Sequence, residues 1–108
     1  PQELRIHCVS GVFAGRKFEI TGQLRMGRDP SRNDLVFPAQ TQGVSGVHCL
    51  LTMEGDKLYL QDLGSSYGTW LADGRRLSAS QAVELKVGDS FSLGSQRERF
   101  VVTEKGGV

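Results

Sequence analysis

Little in this sequence invites chemistry of its own. It has two cysteines in 108 residues, Cys8 and Cys49. Neither sits in a Cys-x-x-Cys pair or a Cys/His spacing suited to zinc, so the expected state is two buried free thiols acting as small hydrophobes, with no metal and no cofactor. Charge of neither sign dominates: 13 Lys and Arg against 12 Asp and Glu leave a formal net charge of +1. Such a balance produces no long-range field that would favour nucleic acid or a membrane surface. No apolar run approaches the roughly 20 residues of a spanning helix, and no charged-then-apolar leader is present. A phosphate-cradling Gly-x-x-x-x-Gly-Lys stretch is missing. So are sustained 3.6-residue periodicity, internal repeats and low-complexity segments.

What the chain does have is alternation and turns. Leu4, Ile6 and Cys8 alternate with Glu3, Arg5 and His7, and Leu58 and Leu60 alternate with Lys57, Tyr59 and Gln61. Period-2 patterns of this kind belong to half-buried strands. They recur in Phe18 and Ile20, Leu24 and Met26, Cys49, Leu51 and Met53, Phe91 and Leu93, and Phe100 and Val102, which together form the predicted core. Between them lie turn signals such as Thr21-Gly22, Asp29-Pro30-Ser31, Glu54-Gly55-Asp56, Asp73-Gly74 and Gly88-Asp89, at the spacing of an all-β sandwich or barrel. The length suits one domain over 1–108, able to close a core without staples, with a tail over 105–108 that frays. Beginning at Pro1 rather than Met, the chain reads as a domain excised from a larger protein.

Two segments, 29–47 and 63–69, do not read as strands despite their length. Both are rich in Gly, Ser, Asn or Pro. Long loops held by rigid sheets are where binding groups concentrate, which puts the expected site there. Three short motifs fall in or beside them: Gly27-Arg28, Ser45-Gly46-Val47-His48, and Ser65-Ser66-Tyr67-Gly68-Thr69. Taken with Asp62-Leu63-Gly64-Ser65 and the late Gly88-Asp89-Ser90-Phe91-Ser92-Leu93-Gly94, the ordered set resembles the forkhead-associated (FHA) family, and within it a bacterial-type member.

The resemblance implies an all-β, two-sheet sandwich of roughly eleven strands of the FHA/SMAD-like kind, and a shallow phosphothreonine site on the loops at one end. It implies no catalytic centre. By the same resemblance Arg28 contacts phosphate, Ser45 and Ser66 supply hydroxyls, and the Gly46 amide donates although relatives often carry Arg or Lys there. Read alone, Arg28 would be a surface arginine paired with Asp29 or Asp34. Nine of the 13 basic residues are Arg, the side chain whose planar fork suits phosphate. Gly27, His48, Gly68 and Thr69 take supporting roles. Tyr67 stands where the family has Asn; a phenol gives one hydrogen bond or a packing face in place of a two-pronged amide. With Arg75 and Arg76 it makes up the expected peptide-binding set.

The expected function is phosphothreonine-dependent binding of a protein or peptide in signalling. The alternative is an interaction or assembly module that needs no phosphate, motivated by Tyr67 and Gly46. An enzyme is not expected: His48 and Cys49 are adjacent on a strand and point to opposite faces, so they cannot form a nucleophile and base. The domain is expected to be monomeric and cytoplasmic, with no nucleic acid partner and no insertion into membrane.

Overall fold

The computed structural model describes residues 3–105. Alternation works out as written in the first strand, β1 (Leu4–Ser10), whose Leu4, Ile6 and Cys8 are buried while Arg5 and His7 are only partly so. Nine further strands follow: β2 (Lys17–Glu19), β3 (Gln23–Gly27), β4 (Leu35–Val36), β5 (Cys49–Glu54), β6 (Lys57–Asp62), β7 (Thr69–Leu71), β8 (Val83–Leu85), β9 (Ser90–Leu93) and β10 (Glu98–Glu104). They form two five-stranded sheets, ordered β2-β1-β10-β9-β7 and β4-β3-β5-β6-β8. Every pairing is antiparallel except β3 with β4.

The inward faces of both sheets meet in one apolar cluster that includes Ile6, Met26, Leu51, Leu58, Leu60, Phe91, Leu93, Phe100 and Val102. This is the two-sheet sandwich expected from the sequence. Among the described residues ten strands are found where the resemblance implied roughly eleven. After β7 the returning chain makes single bridges, Trp70 to Arg76 and Asp62 to Ala79. Phe18, Leu24 and Met53, expected in the core, are partly buried and pack against its rim.

The segment 29–47 is not featureless. Leu35 and Val36 add a short parallel strand, and Phe37 behind them is buried. Phe37 lies against Phe100 with ring centroids 6.3 Å apart, and Phe100 stacks on Phe91 at 5.5 Å. Val44 is also buried. The exposed stretch between these two anchors is therefore pinned at both ends, since burying each such side chain contributes about 1.5–3 kcal/mol. Lys105 is held by its amide on the Glu3 carbonyl at 2.9 Å and by an ion pair to Glu19 at 2.7 Å. The rest of the expected frayed tail, 106–108, lies outside the described residues. No helix among the described residues is long and apolar enough to cross a membrane.

Candidate functional site

The loops after β3, β4, β6 and β9 converge at one end of the sandwich. The Arg28 amide donates to the Ser45 carbonyl at 3.1 Å and the Asp29 amide to the Gly46 carbonyl at 3.0 Å. This close approach explains Gly27, because a Cβ at that position would collide with the Gly46 carbonyl. Arg28 then turns its guanidinium along the neighbouring loop, donating from Nε to the Val44 carbonyl and from Nη1 to the Ala39 carbonyl at 2.8 Å. It does not pair with Asp29 or Asp34. Asp29 is engaged by the Ser31 amide and hydroxyl, and Asp34 by the Arg25 amide. Two of the five guanidinium N–H groups are thus spent on fixing the side chain, and three remain for another acceptor.

Ser45 is joined to Ser66 directly: the Ser66 amide donates to Ser45 Oγ at 3.0 Å, which leaves the Ser45 hydroxyl hydrogen free to donate elsewhere. His48 holds both loops. Its Nδ1 accepts from the Ser45 amide at 3.0 Å, so the proton sits on Nε2, which faces the Gly68 carbonyl at 2.8 Å. The ring is fully buried, and that burial holds its pKa below the ordinary histidine value, partly countered by the Gly68 carbonyl. Gly68 has φ +89°, in the left-handed region open to glycine, and a Cβ there would meet Arg76 and Trp70. Gly46 differs: a Cβ would have nothing closer than Asp29 Cβ at 4.0 Å, so this position is open.

The turn that carries Ser66 is organised by Asp62, 4% exposed at the end of β6. Its carboxylate accepts from the Ser65 hydroxyl at 2.6 Å, the Thr69 hydroxyl at 2.7 Å, and the Gly64 and Ser65 amides at 2.9 and 3.0 Å. Burial alone would raise its pKa, but the hydrogen bonds from Ser65, Thr69 and Gly64 outweigh it and leave the carboxyl below its usual range. Thr69 thus acts through Asp62 as a support for the turn. The Ser65 hydroxyl in turn accepts the Gly68 amide at 3.0 Å.

Both shifted groups make the site sensitive to acid in the same direction. His48 and Asp62 each have a folded pKa below the unfolded one, so in the window between the two values the unfolded chain binds the extra proton and stability falls with pH. The His48 contribution is complete above its ordinary value and is lost as pH drops below it; the Asp62 contribution is lost lower, through the carboxylate range. Protonating His48 also removes the acceptor for the Ser45 amide. Urea unfolding at a series of pH values from 7 downward should show a falling midpoint, with a smaller fall in His48→Gln over the histidine range.

Tyr67 is 66% exposed beside Ser66, its carbonyl accepting from Trp70 Nε1 at 2.9 Å. Arg76 belongs to the same rim: its Nη2 lies 3.3 Å from the Ser66 carbonyl and its guanidinium lies over the Trp70 ring, 5.7 Å from the centroid. Arg75 is not brought here. It lines a separate hollow with Leu71, Asp73, Glu84 and Asp89, because successive residues of an extended segment point to opposite sides. The sequence reading missed Asn33, whose Nδ2 donates to the Asp29 and Gly46 carbonyls at 2.8 and 2.6 Å and braces the Ser45 loop against the Arg28 turn. Nothing in its spacing distinguishes it from an ordinary turn asparagine. Cys49 is buried at Met26, away from the His48 ring contacts, and burial pushes its thiol far up, so it is a poor nucleophile.

Solved structures share this architecture. The chain is 28% identical to the FHA domain of an Arabidopsis thaliana protein, covering 99% of this chain and 89% of that one at a TM-score of 0.85. It is 24% identical to Mycobacterium tuberculosis EmbR, solved with a low affinity phosphopeptide, over 99% of this chain and 26% of that one, TM-score 0.78. It is 21% identical to the MEK1 FHA domain, solved with a HOP1 phosphothreonine peptide, over 98% and 100% of the two chains, TM-score 0.75. No curated protein sequence matches. The FHA domain family model matches residues 24–94, well over half the sequence and all three loop motifs, and the chain belongs to the forkhead-associated domain family.

Proposed function

We propose that this chain is a phosphothreonine-dependent protein-binding module, and that the phosphate is received by Arg28, Ser45, Ser66 and the Gly46 amide. One observation carries the reading: a guanidinium is already fixed by two backbone carbonyls, one of them that of Val44 next to Ser45, whose hydroxyl oxygen is tied to the Ser66 amide, with no carboxylate paired to that cation among the described residues. A phosphothreonine carries close to two negative charges and strong acceptor oxygens. Donors held in place before the ligand arrives lose little entropy when it binds. Gly27, His48, Gly68 and Thr69 keep the three loops in register, and Tyr67 and Arg76 offer a phenol and a second cation to the peptide beside the phosphate. Arg75 has no part in this reading.

Phosphopeptide-bound relatives of the same fold support it. The reading is of a binding module in signalling rather than an enzyme, one domain over 1–108, monomeric and cytoplasmic. Two buried free thiols accord with a reducing compartment. Titration with a degenerate phosphothreonine peptide pool and its unphosphorylated twin tests it: only the phosphorylated pool should bind. Equal binding of both would hand the site to the alternative, an interaction module indifferent to phosphate.

The open space at Gly46 gives a gain-of-function check. Gly46→Lys introduces no clash and no left-handed backbone, and adds a cation at the rim of the site. Exposed charge pairs are worth up to about 1 kcal/mol, so phosphothreonine peptide affinity should rise about threefold to fivefold, with a steeper loss in salt. Fluorescence anisotropy at two ionic strengths measures both.

A further inference from the structure

Beyond the phosphate site the same end of the sandwich carries a groove of about 490 Å³ lined by Gln42, Gly43, Tyr67, Ser95 and Arg97. It begins where that site ends. Tyr67 follows Ser66 in the chain, and Gly43 lies two residues before Ser45. The far wall is the turn between β9 and β10, a segment with no role so far.

The lining carries polar groups and no carboxylate. Arg97 is its one charged residue. Its Nη1 donates to Gln42 Oε1 at 3.2 Å, which turns that amide oxygen to the guanidinium. Ser95 and Tyr67 add hydroxyls. The carboxylate next to Arg97 in sequence is turned away: Glu98 is 4% exposed and accepts the Val12 amide at 3.0 Å. No carboxylate lines the groove or pairs with Arg97 among the described residues. The exposed face of the Tyr67 ring gives the apolar strip along which a short methylene stem can lie.

The geometry points to an acidic side chain of the bound peptide, glutamate or aspartate, as the occupant, with its carboxylate on Arg97 and its stem against Tyr67. The inference rests on the phosphothreonine reading above, since it concerns a residue flanking the phosphorylated one. A lysine or arginine there would face the Arg97 charge, so the groove selects against basic peptides as well as for acidic ones.

Phosphothreonine peptides carrying Glu, Gln or Lys at each flanking position in turn provide the test. At one position Glu should bind about fivefold more tightly than Gln, the range of an exposed charge-assisted pair, and Lys more weakly than either. Arg97→Glu should invert the order to favour Lys, and Arg97→Gln should flatten it. Arg97 is an exposed side chain on a turn, and the one inter-strand bond at that residue uses its backbone carbonyl, so both variants keep the fold. A Glu preference at no position, or one that survives Arg97→Glu, overturns the inference while phosphate-dependent binding stands. Equal binding of phosphorylated and unphosphorylated wild-type ligands defeats the parent reading instead, and the inference with it.

Discussion

Replacing Arg28 with alanine is expected to erase the difference in affinity between a phosphothreonine peptide and its unphosphorylated twin. The position of the guanidinium is dictated by the framework: Nε and Nη1 are anchored on Val44 and Ala39, and its own amide is bonded to the Ser45 carbonyl. Hydrogen bonds to a charged group are worth about 1.5–3 kcal/mol, so the loss should be about 10- to 100-fold for the phosphorylated ligand and nothing for the other. Stability should change little. The Ala39 carbonyl is on an exposed residue and Arg28 itself is only half-buried, so water can take over that acceptor, which leaves the Val44 carbonyl, on a buried residue, as the main loss. Arg28→Lys retains the charge but not the fork, and should fall between the two. Calorimetric titration of both peptides, with thermal melts of each variant, separates these outcomes; a persistent phosphate preference in Arg28→Ala would move the site elsewhere.

The largest effect on stability is expected from Asp62→Ala. Its carboxylate serves four donors within a turn where Ser65 and Thr69 are themselves buried. Removing it strands hydroxyls and amides that water cannot easily reach, at a cost of about 1–3 kcal/mol for each unsatisfied group. Even with relaxation the loss should reach about 3 kcal/mol, which lowers Tm by about 12 °C or more in a domain of this size. Asp62→Asn keeps one acceptor oxygen and should lose about half as much. Phosphopeptide affinity should fall in parallel, because the Ser66 amide reaches Ser45 from this turn. Urea unfolding gives the number directly, and a change under about 1 kcal/mol would mean that the turn is shaped by something other than its buried carboxylate.

The two experiments separate parts of the molecule that differ in how far they could be read beforehand. Strands showed plainly: Leu4, Ile6, Cys8, Leu58, Leu60, Phe91, Leu93, Phe100 and Val102 all alternate and are all buried. The core residues that escaped notice were Leu35, Phe37, Val44, Leu77 and Leu85, buried from loops or very short strands. Val44 and Leu77 are isolated apolar residues that carry no period, and Leu35 to Phe37 form a run too short to show one, so only their tertiary neighbours identify them; Leu85 does alternate with Val83 and Val87, but over a run too short to stand out. The site divides in the same way. Arg28, Ser45 and Ser66 stood out through motif order, and the loops do bring them together. Asn33 and Arg97 belonged to no motif. Arg75 and Arg76 looked equivalent as a pair, yet the bridge from Trp70 to Arg76 turns one towards Ser66 and the other away.

By itself, then, the sequence determined the class of architecture, the family and the three loop motifs from which the proposed site is drawn, because period-2 alternation and local motifs are properties of neighbours along the chain. The tertiary structure alone decided that the Arg28 guanidinium rests on Val44 and Ala39, that His48 binds one loop with each ring nitrogen, and that Arg97 and Tyr67 line one groove. These depend on where four separate loops end after two sheets have packed, and a packing arrangement among distant residues leaves no periodic trace in the order of amino acids.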